Sequence, residues 1–281
     1  MILLKKIEDL HFFLTQMREK GNTIGYVPTM GALHPGHISL ITNSKGSNSI
    51  TVSSIFINPT QFNDPKDFEK YPVTLEKDIA ILEEAGCDIL FLPSVAEMYP
   101  TAFNNLQQYD LGYLETVVEG KYRPGHFQGV CQVVHRLLQI VEPDNLFLGQ
   151  KDYQQCMVIK KLIELVKLKV TVIVCATLRE DDGLAMSSRN MRLNKQEREK
   201  AVKIYDALAF LKREIKPGYV EDIKERALQY LAAEGFKPDY VAIASANNLE
   251  LIEYWDGKEN IVALIAAYLN EVRLIDNMLL N

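Results

Sequence analysis

Five short apolar runs bounded by turn residues, separated by stretches of helical period, fill the chain up to Thr177 and narrow the folds open to it. Thr23 to Pro28, Ser49 to Asn58, Asp88 to Pro93, Asn145 to Gly149 and Lys169 to Thr177 read as strands. Ahead of the third, Leu75, Ile79 and Leu82 keep one helical face, and Gly86 stands where such a helix is capped. Ahead of the fourth, Val130, Val133, Val134, Leu137, Leu138 and Val141 lie at offsets of 3, 4, 7, 8 and 11 and form one apolar stripe. Strands joined through helices demand right-handed crossovers, hence a parallel sheet covered on both faces. The expected class is α/β with a doubly wound sheet, whose ligands bind beyond the carboxyl ends of the strands.

Past Thr177 the pattern changes. Asn194 with Glu197 three residues on predicts a capping box, opening a helix that carries Ala201, Ile204, Leu208 and Leu211 on one face. A second helix is expected from Tyr219 to Ala233, then strands over Asp239 to Ala246, Ile261 to Tyr268 and Val272 to Ile275. This reads as a smaller α+β domain over 177–281, following a first domain over 1–176.

Composition excludes several classes. Among 281 residues, 31 basic and 37 acidic side chains give a net charge of −6, which argues against an extended nucleic-acid footprint. An anionic ligand must therefore be met by a local cluster. The longest apolar runs, such as Val170 to Leu178, fall far short of the roughly 20 residues that span a bilayer. Lys5 and Lys6 interrupt the first apolar patch before a signal-peptide core can form. Cys87, Cys131, Cys156 and Cys175 stand far apart without zinc-type spacing, so they read as small buried hydrophobes in a reducing, cytoplasmic compartment.

The loop after the first of these strands concentrates chemistry. Pro28-Thr29-Met30-Gly31-Ala32-Leu33-His34-Pro35-Gly36-His37 leads into a helical run from Ile38 to Lys45. With a helix starting near Pro35, two histidines three apart converge close to its amino terminus, where backbone N–H groups and the helix dipole favour anions. A metal site is the competing reading, but two ligands are too few and no third His, Asp or Cys lies nearby in sequence.

With its companions, this loop resembles that of the pantoate–β-alanine ligase family, nucleotidyltransferases whose HxGH element is akin to the HIGH signature of class I aminoacyl-tRNA synthetases. The companions are Ser54-Ile55-Phe56-Ile57-Asn58-Pro59-Thr60-Gln61-Phe62, Tyr71-Pro72 with Asp78, Arg123-Pro124-Gly125-His126-Phe127, Gly149-Gln150-Lys151-Asp152-Tyr153-Gln154-Gln155, Met186-Ser187-Ser188-Arg189-Asn190, and Arg273-Leu274-Ile275-Asp276-Asn277. The similarity spans essentially the whole chain, with Gln128 standing where Asn is frequent and Leu178 where Val is usual.

The resemblance implies a Rossmann-like first domain that binds ATP and pantoate, and a smaller domain carrying the Met186–Arg189 phosphate loop. It implies that pantoate attacks the α-phosphorus of ATP to give pantoyl adenylate and pyrophosphate, after which β-alanine displaces AMP. Donors clustered around the phosphates should lower the barrier to such a step. By resemblance they are His34, His37, Lys151, Ser187, Ser188 and Arg189, with His37 the proton donor. The wider ATP site takes in Met30, Gly31, Ala32, Leu33, Pro35 and Gly36, then Gly149, Gln150 and Asp152, then Leu178 and Met186. Gln61 and Gln155 fall to pantoate, and Gln61, Asn58 and Tyr71 to β-alanine. Mg2+ is expected with the triphosphate, with Asp78 as its ligand. Because an acyl adenylate hydrolyses easily, Asn63 to Tyr71 is expected to serve as a lid. A homodimer is implied as well. The alternatives are a related nucleotidyltransferase with a phosphorylated acceptor and a non-catalytic nucleotide-binding homologue.

Overall fold

Consecutive residues of a strand point to opposite faces of its sheet, and in this protein they feed two separate cores. Ile24 and Tyr26, Ile89 and Phe91, and Leu146 and Leu148 belong to one cluster of buried side chains, while Val27, Leu90 and Phe147 belong to another. A sheet buried on both faces is the outcome expected from apolar strands alternating with helices. The structure, a computed structural model, describes residues 1–62, 65–100 and 106–281, with only the backbone described at 65 and 66.

The chain falls into two compact units, Met1–Gly149 with Gln155–Ala176, and Gln150–Gln154 with Thr177–Asn281. In the first, the elements run β1 (Ile2–Leu4), α1 (Ile7–Glu19), β2 (Ile24–Thr29), α2 (Pro35–Ser47), β3 (Ile50–Ile55), α3 (Pro65–Glu69), α4 (Leu75–Glu84), β4 (Ile89–Phe91), α5 (Val95–Met98), α6 (Glu119–Tyr122), α7 (His126–Val141), β5 (Asn145–Gly149), α8 (Tyr153–Val166) and β6 (Thr171–Cys175). Six parallel strands lie in the order β1-β4-β3-β2-β5-β6. The order reverses between β2 and β5, so a crevice opens beyond their carboxyl ends, where ligands of doubly wound sheets bind.

All six residues of the predicted stripe on α7 are buried, alongside Leu10 and Leu14 of α1 and Val158, Ile159 and Leu162 of α8. Leu40 and Ile41 of α2 and Leu82 of α4 fill the opposite core. Gly86 ends α4 as expected: at φ +74° it lets its own N–H reach the Glu83 carbonyl and the Cys87 N–H reach the Leu82 carbonyl, both at 3.0 Å. β1 was not legible, because three residues are too few to show a period. It pairs in parallel with β4 at the sheet edge. The second predicted strand is shorter than expected, ending at Ile55.

The second unit holds α9 (Lys195–Ala201), α10 (Lys203–Glu214), β7 (Gly218–Tyr219), α11 (Glu221–Ala233), β8 (Lys237–Ser245), β9 (Tyr254–Trp255), β10 (Ile261–Leu269) and β11 (Val272–Leu279). β8, β10 and β11 form an antiparallel sheet, and the helices share its core through Ile204, Leu208, Leu211, Ala227 and Leu231. The Asn194 capping box is present, each partner's backbone N–H donating to the other's side chain at 2.9 Å. Two expectations need correction. The helix opened there is two helices, interrupted by a turn at Val202. The next helix starts at Glu221, since Gly218 at φ +140° leaves helical space and pairs with Trp255.

The four cysteines are buried and unbridged. Burial pushes the Cys87 thiol up to about 11 and the Cys131 thiol up to about 12, and raises Cys175 as well. Reactivity belongs to the thiolate, so at pH 8 a disulfide reagent should label the native protein slowly and all four thiols at once in denaturant. Rapid labelling of Cys87 or Cys131 in the folded protein would contradict this packing.

Candidate active site

A buried carboxylate shapes the loop that leaves β2. The Thr29 hydroxyl donates to the Ser54 carbonyl at 2.7 Å and accepts from the Gly31 N–H at 3.2 Å. Gly31 and Ala32 then take φ values of +79° and +50°. That turn directs the Ala32 and Leu33 N–H groups at Asp78, whose two oxygens accept them at 2.9 and 2.8 Å, and the Thr74 hydroxyl donates to Oδ1 at 3.0 Å. A Cβ at Gly31 would stand 3.1 Å from Asp78 Oδ2, so both the backbone angle and the packing call for glycine. Asp78 is 1% exposed.

The loop so anchored enters α2 at Pro35, whose fixed φ suits a first helical position. His34 caps the helix, and its backbone N–H donates to His37 Nδ1 at 3.3 Å, with ring centroids 4.0 Å apart. A neutral imidazole that accepts at Nδ1 carries its proton on Nε2. His37 thus offers an N–H donor beside the positive end of a helix dipole.

Beyond β3, Asn58, Thr60 and Gln61 form a tight turn laid against α7. A Cβ at Gly129 would fall 2.3 Å from the Thr60 carbonyl oxygen, so glycine allows the close approach. Asn58 is fully buried; its Nδ2 donates to Thr60 Oγ1 at 2.9 Å and to the Gly129 carbonyl at 3.1 Å, and its Oδ1 accepts from the Tyr99 hydroxyl at 3.0 Å. Its amide therefore holds the turn. The Gln61 carbonyl accepts from His126 Nδ1–H at 2.7 Å, and Arg123 donates to His126 Nε2 at 3.1 Å. The Arg123–Phe127 element thereby supports Gln61, while the Gln61 amide donates to Met30 Sδ at 2.8 Å and ties this turn to the histidine loop. Tyr71 is buried edge-on against Phe62, 5.8 Å between centroids. Asn63 and Asp64, where the expected lid begins, lie outside the described residues; α3 and Tyr71 complete that stretch.

Gly149 ends β5, and a Cβ there would meet nothing within 4 Å among the described residues, so their packing does not demand glycine. Gln155 lies half-buried on α8. Gln128, one departure from the family pattern, clasps the Tyr109 backbone through both its Oε1 and its Nε2, at 3.0 and 2.9 Å. It is part of the scaffold.

In the second unit, Gln150, Lys151 and Asp152 form a single 3-10 turn, and the Lys151 ammonium stands 4.0 Å from Asp152. Leu178 and Met186 face each other across a short hairpin, the Met186 N–H donating to the Leu178 carbonyl at 3.0 Å. The Leu178 side chain is exposed. Ser187 then caps a 3-10 turn, accepting from the Arg189 N–H at 3.3 Å, and Ser188 is buried. Among the described residues no three His, Cys, Asp or Glu side chains are grouped to hold a metal ion, and no helix is long and apolar enough to cross a membrane.

Residues 2–279 match the family model for pantoate-beta-alanine ligase. The chain belongs to the pantoate–β-alanine ligase family. Pantothenate synthetases of Cytophaga hutchinsonii and Porphyromonas gingivalis are 45% and 44% identical to it, with 99% or more of both chains covered. A crystal structure of pantothenate synthetase from Thermus thermophilus superposes with a TM-score of 0.91 at 38% identity, covering 100% of this chain and 99% of that one. One of a pantoate-beta-alanine ligase from Francisella tularensis, complexed with beta-gamma ATP and beta-alanine, gives 0.84 at 40% identity, covering 100% and 98%. The family is that of an ATP-dependent ligase, and this chain is such an enzyme; the phosphorylated-acceptor alternative is not favoured.

The sequence marked Asp78 as a metal ligand, and its role as loop anchor was beyond it, as were the supporting roles of Asn58 and His126, since residues dozens of positions apart give no local signal. Asp78→Ala should leave two buried N–H groups unsatisfied, at about 1–3 kcal/mol each. Urea unfolding should show it, with Thr74→Ala, which spares both N–H acceptors, losing much less. Equal losses in the two variants would refute the anchor.

Proposed function

We propose that ligation runs through pantoyl adenylate. A pantoate carboxylate oxygen attacks the α-phosphorus of ATP, the bond to pyrophosphate breaks, and an acyl phosphate anhydride forms. The amine of β-alanine then attacks the acyl carbon, the C–N bond forms, AMP leaves, and the amine proton passes to solvent. The observation that carries this reading is the Asp78-anchored turn, which sets His34 and His37 at the start of α2, beyond the carboxyl end of β2.

In this proposal His34, His37, Lys151, Ser187, Ser188 and Arg189 meet the phosphates, and His37 offers its Nε2–H to an oxygen that gains charge. Gly149 and Asp152 meet the ribose, where the open space at Gly149 admits a sugar and a carboxylate accepts from hydroxyls. Gln150, Leu178, Met186 and the backbone of residues 30–36 complete the nucleotide site. Gln61 and Gln155 hold pantoate through neutral amides, which orient a carboxylate without quenching its nucleophilicity. Gln61 and Tyr71 adjoin β-alanine, and Asn58 serves by fixing the turn that carries Gln61.

The Mg2+ expected with ATP would be held by triphosphate oxygens and water, as is usual for this ion. Asp78 fits poorly as its ligand, because it is 1% exposed and already accepts from two loop N–H groups and the Thr74 hydroxyl, and no step here depends on the metal. The homodimer implied by the family resemblance and the cytoplasmic location expected from the cysteines belong to the same proposal, and a monomer mass in light scattering would overturn the first.

The test is pyrophosphate release from ATP and Mg2+ with pantoate alone, followed by addition of β-alanine. Pantoate-dependent pyrophosphate, then β-alanine-dependent AMP and pantothenate, is the expected result. AMP formed only when both acids are present, with no pyrophosphate beforehand, would overturn the adenylate. Lys151→Ala should slow the first step by about 3 kcal/mol, or more than a hundredfold.

A further inference from the structure

Two consecutive residues of β11, Asp276 and Asn277, are polar, almost wholly buried at 4% and 2% exposure, and far in sequence from every group assigned a role above. Neighbours on a strand face opposite ways, and these two take hold of different segments. Asn277 Nδ2 donates to the Gln150 carbonyl at 2.9 Å and to the Lys151 carbonyl at 2.8 Å, and its Oδ1 accepts from Gln150 Nε2 at 3.4 Å. The carbonyls before and after the Lys151 Cα are thus fixed by one amide. Asp276 receives the Arg179 guanidinium in a two-pronged pair at 2.6 and 3.1 Å. Arg179 also donates to the Gly183 carbonyl at 3.0 Å and to the Asn277 carbonyl at 3.2 Å, and its guanidinium lies 4.9 Å from the Tyr205 ring centroid. Those bonds close the hairpin of residues 178–186, which leads straight into Ser187, Ser188 and Arg189. Gly183, at φ +97°, is pressed so close to Tyr205 that a Cβ would sit 2.4 Å from the ring.

We infer that Asp276 and Asn277 are positioning residues for the triphosphate, fixing the Lys151 turn and the 187–189 turn in one register from a single strand. Neither touches substrate. The inference rests on the assignment of Lys151 and Ser187–Arg189 to the phosphates. A buried polar network of this kind is rigid only when every member is satisfied, and here the amide, the carboxylate and the guanidinium all have partners of good geometry. Misplacing a catalytic donor by about 1 Å costs of the order of a hundredfold in rate, so a residue that only orders backbone can still govern the chemistry.

The two half-reactions separate positioning from a general loss of structure. Only the first contains a triphosphate; the second can be started from synthetic pantoyl adenylate and β-alanine. Asn277→Ala should slow pantoate-dependent pyrophosphate release by about 10- to 100-fold and slow the second half, which keeps the ribose and the α-phosphate but has no pyrophosphate, by a clearly smaller factor. Arg179→Lys, which keeps the charge but loses the fork, should act in the same sense and provides the reading if Asn277→Ala does not fold. Combining Asn277→Ala with Lys151→Ala should add little beyond Lys151→Ala alone, as expected for residues acting through one another. Equal slowing of both halves, or additive effects in the double variant, would overturn the inference. If Lys151→Ala slows the first half while Asn277→Ala and Arg179→Lys do not, the positioning role fails alone. If Lys151→Ala spares the first half, the assignment of Lys151 fails and the inference goes with it.

Discussion

Two N–H groups turned inward by positive-φ residues require an acceptor, and the Asp78 carboxylate is the acceptor on which the first unit's loop depends. Without it the turn at Gly31 and Ala32 would bury two bare donors, which is costly enough to reshape a loop. With it, the chain reaches Pro35 on a fixed course and α2 begins with both histidines in contact. The position of an imidazole donor is thereby set by a residue on another helix, α4, which also lines the core through Leu82.

The same device recurs. Asn58 fixes the turn bearing Gln61 by holding backbone and hydroxyl groups, and His126 holds the Gln61 carbonyl while Arg123 fixes its tautomer. Asn277 does the like for Lys151. In each case a buried polar side chain binds main chain, and the side chain left more open is the one chemically suited to a ligand. Two glycines serve close approach in this scheme: Gly129 admits the Thr60 carbonyl, and Gly183 admits the Tyr205 ring.

Much of this was legible in the residues and some was not. Short apolar runs located β2 to β6, because stretches such as Asn145–Gly149 are bounded by turn residues, and periodicity located α7, because its stripe spans about three turns. The capping box at Asn194 was equally plain, being a contact between residues three apart. β1 and the pair β7 and β9 were illegible, since two- or three-residue strands are made by their partners and not by their own pattern. At the site, motifs marked Gln61, Lys151 and Asn58 together but could not separate a side chain that faces a ligand from one that holds a turn. That distinction lies in where the amide's hydrogen bonds go, and for Asn58 they go to Thr60, Gly129 and Tyr99.

A chain of net charge −6 that handles a triphosphate must keep its own carboxylates from opposing the ligand. The two buried ones near the relevant loops are each neutralised locally. Asp78 is met by backbone dipoles and a hydroxyl, which answer its charge without a cation. Asp276 would be driven toward protonation by burial, and the Arg179 fork opposes that, so the pair presents little net field while keeping its geometry. Lys151 adds a smaller attraction to Asp276 than Arg179 does, and its ammonium also stands 4.0 Å from the Asp152 carboxylate. Replacing Asn277 with a carboxylate would undo this arrangement, setting a third acceptor against two carbonyls and an anion beside the one lysine of the turn; an amide is the side chain that can hold that backbone and leave the electrostatics of the site unchanged.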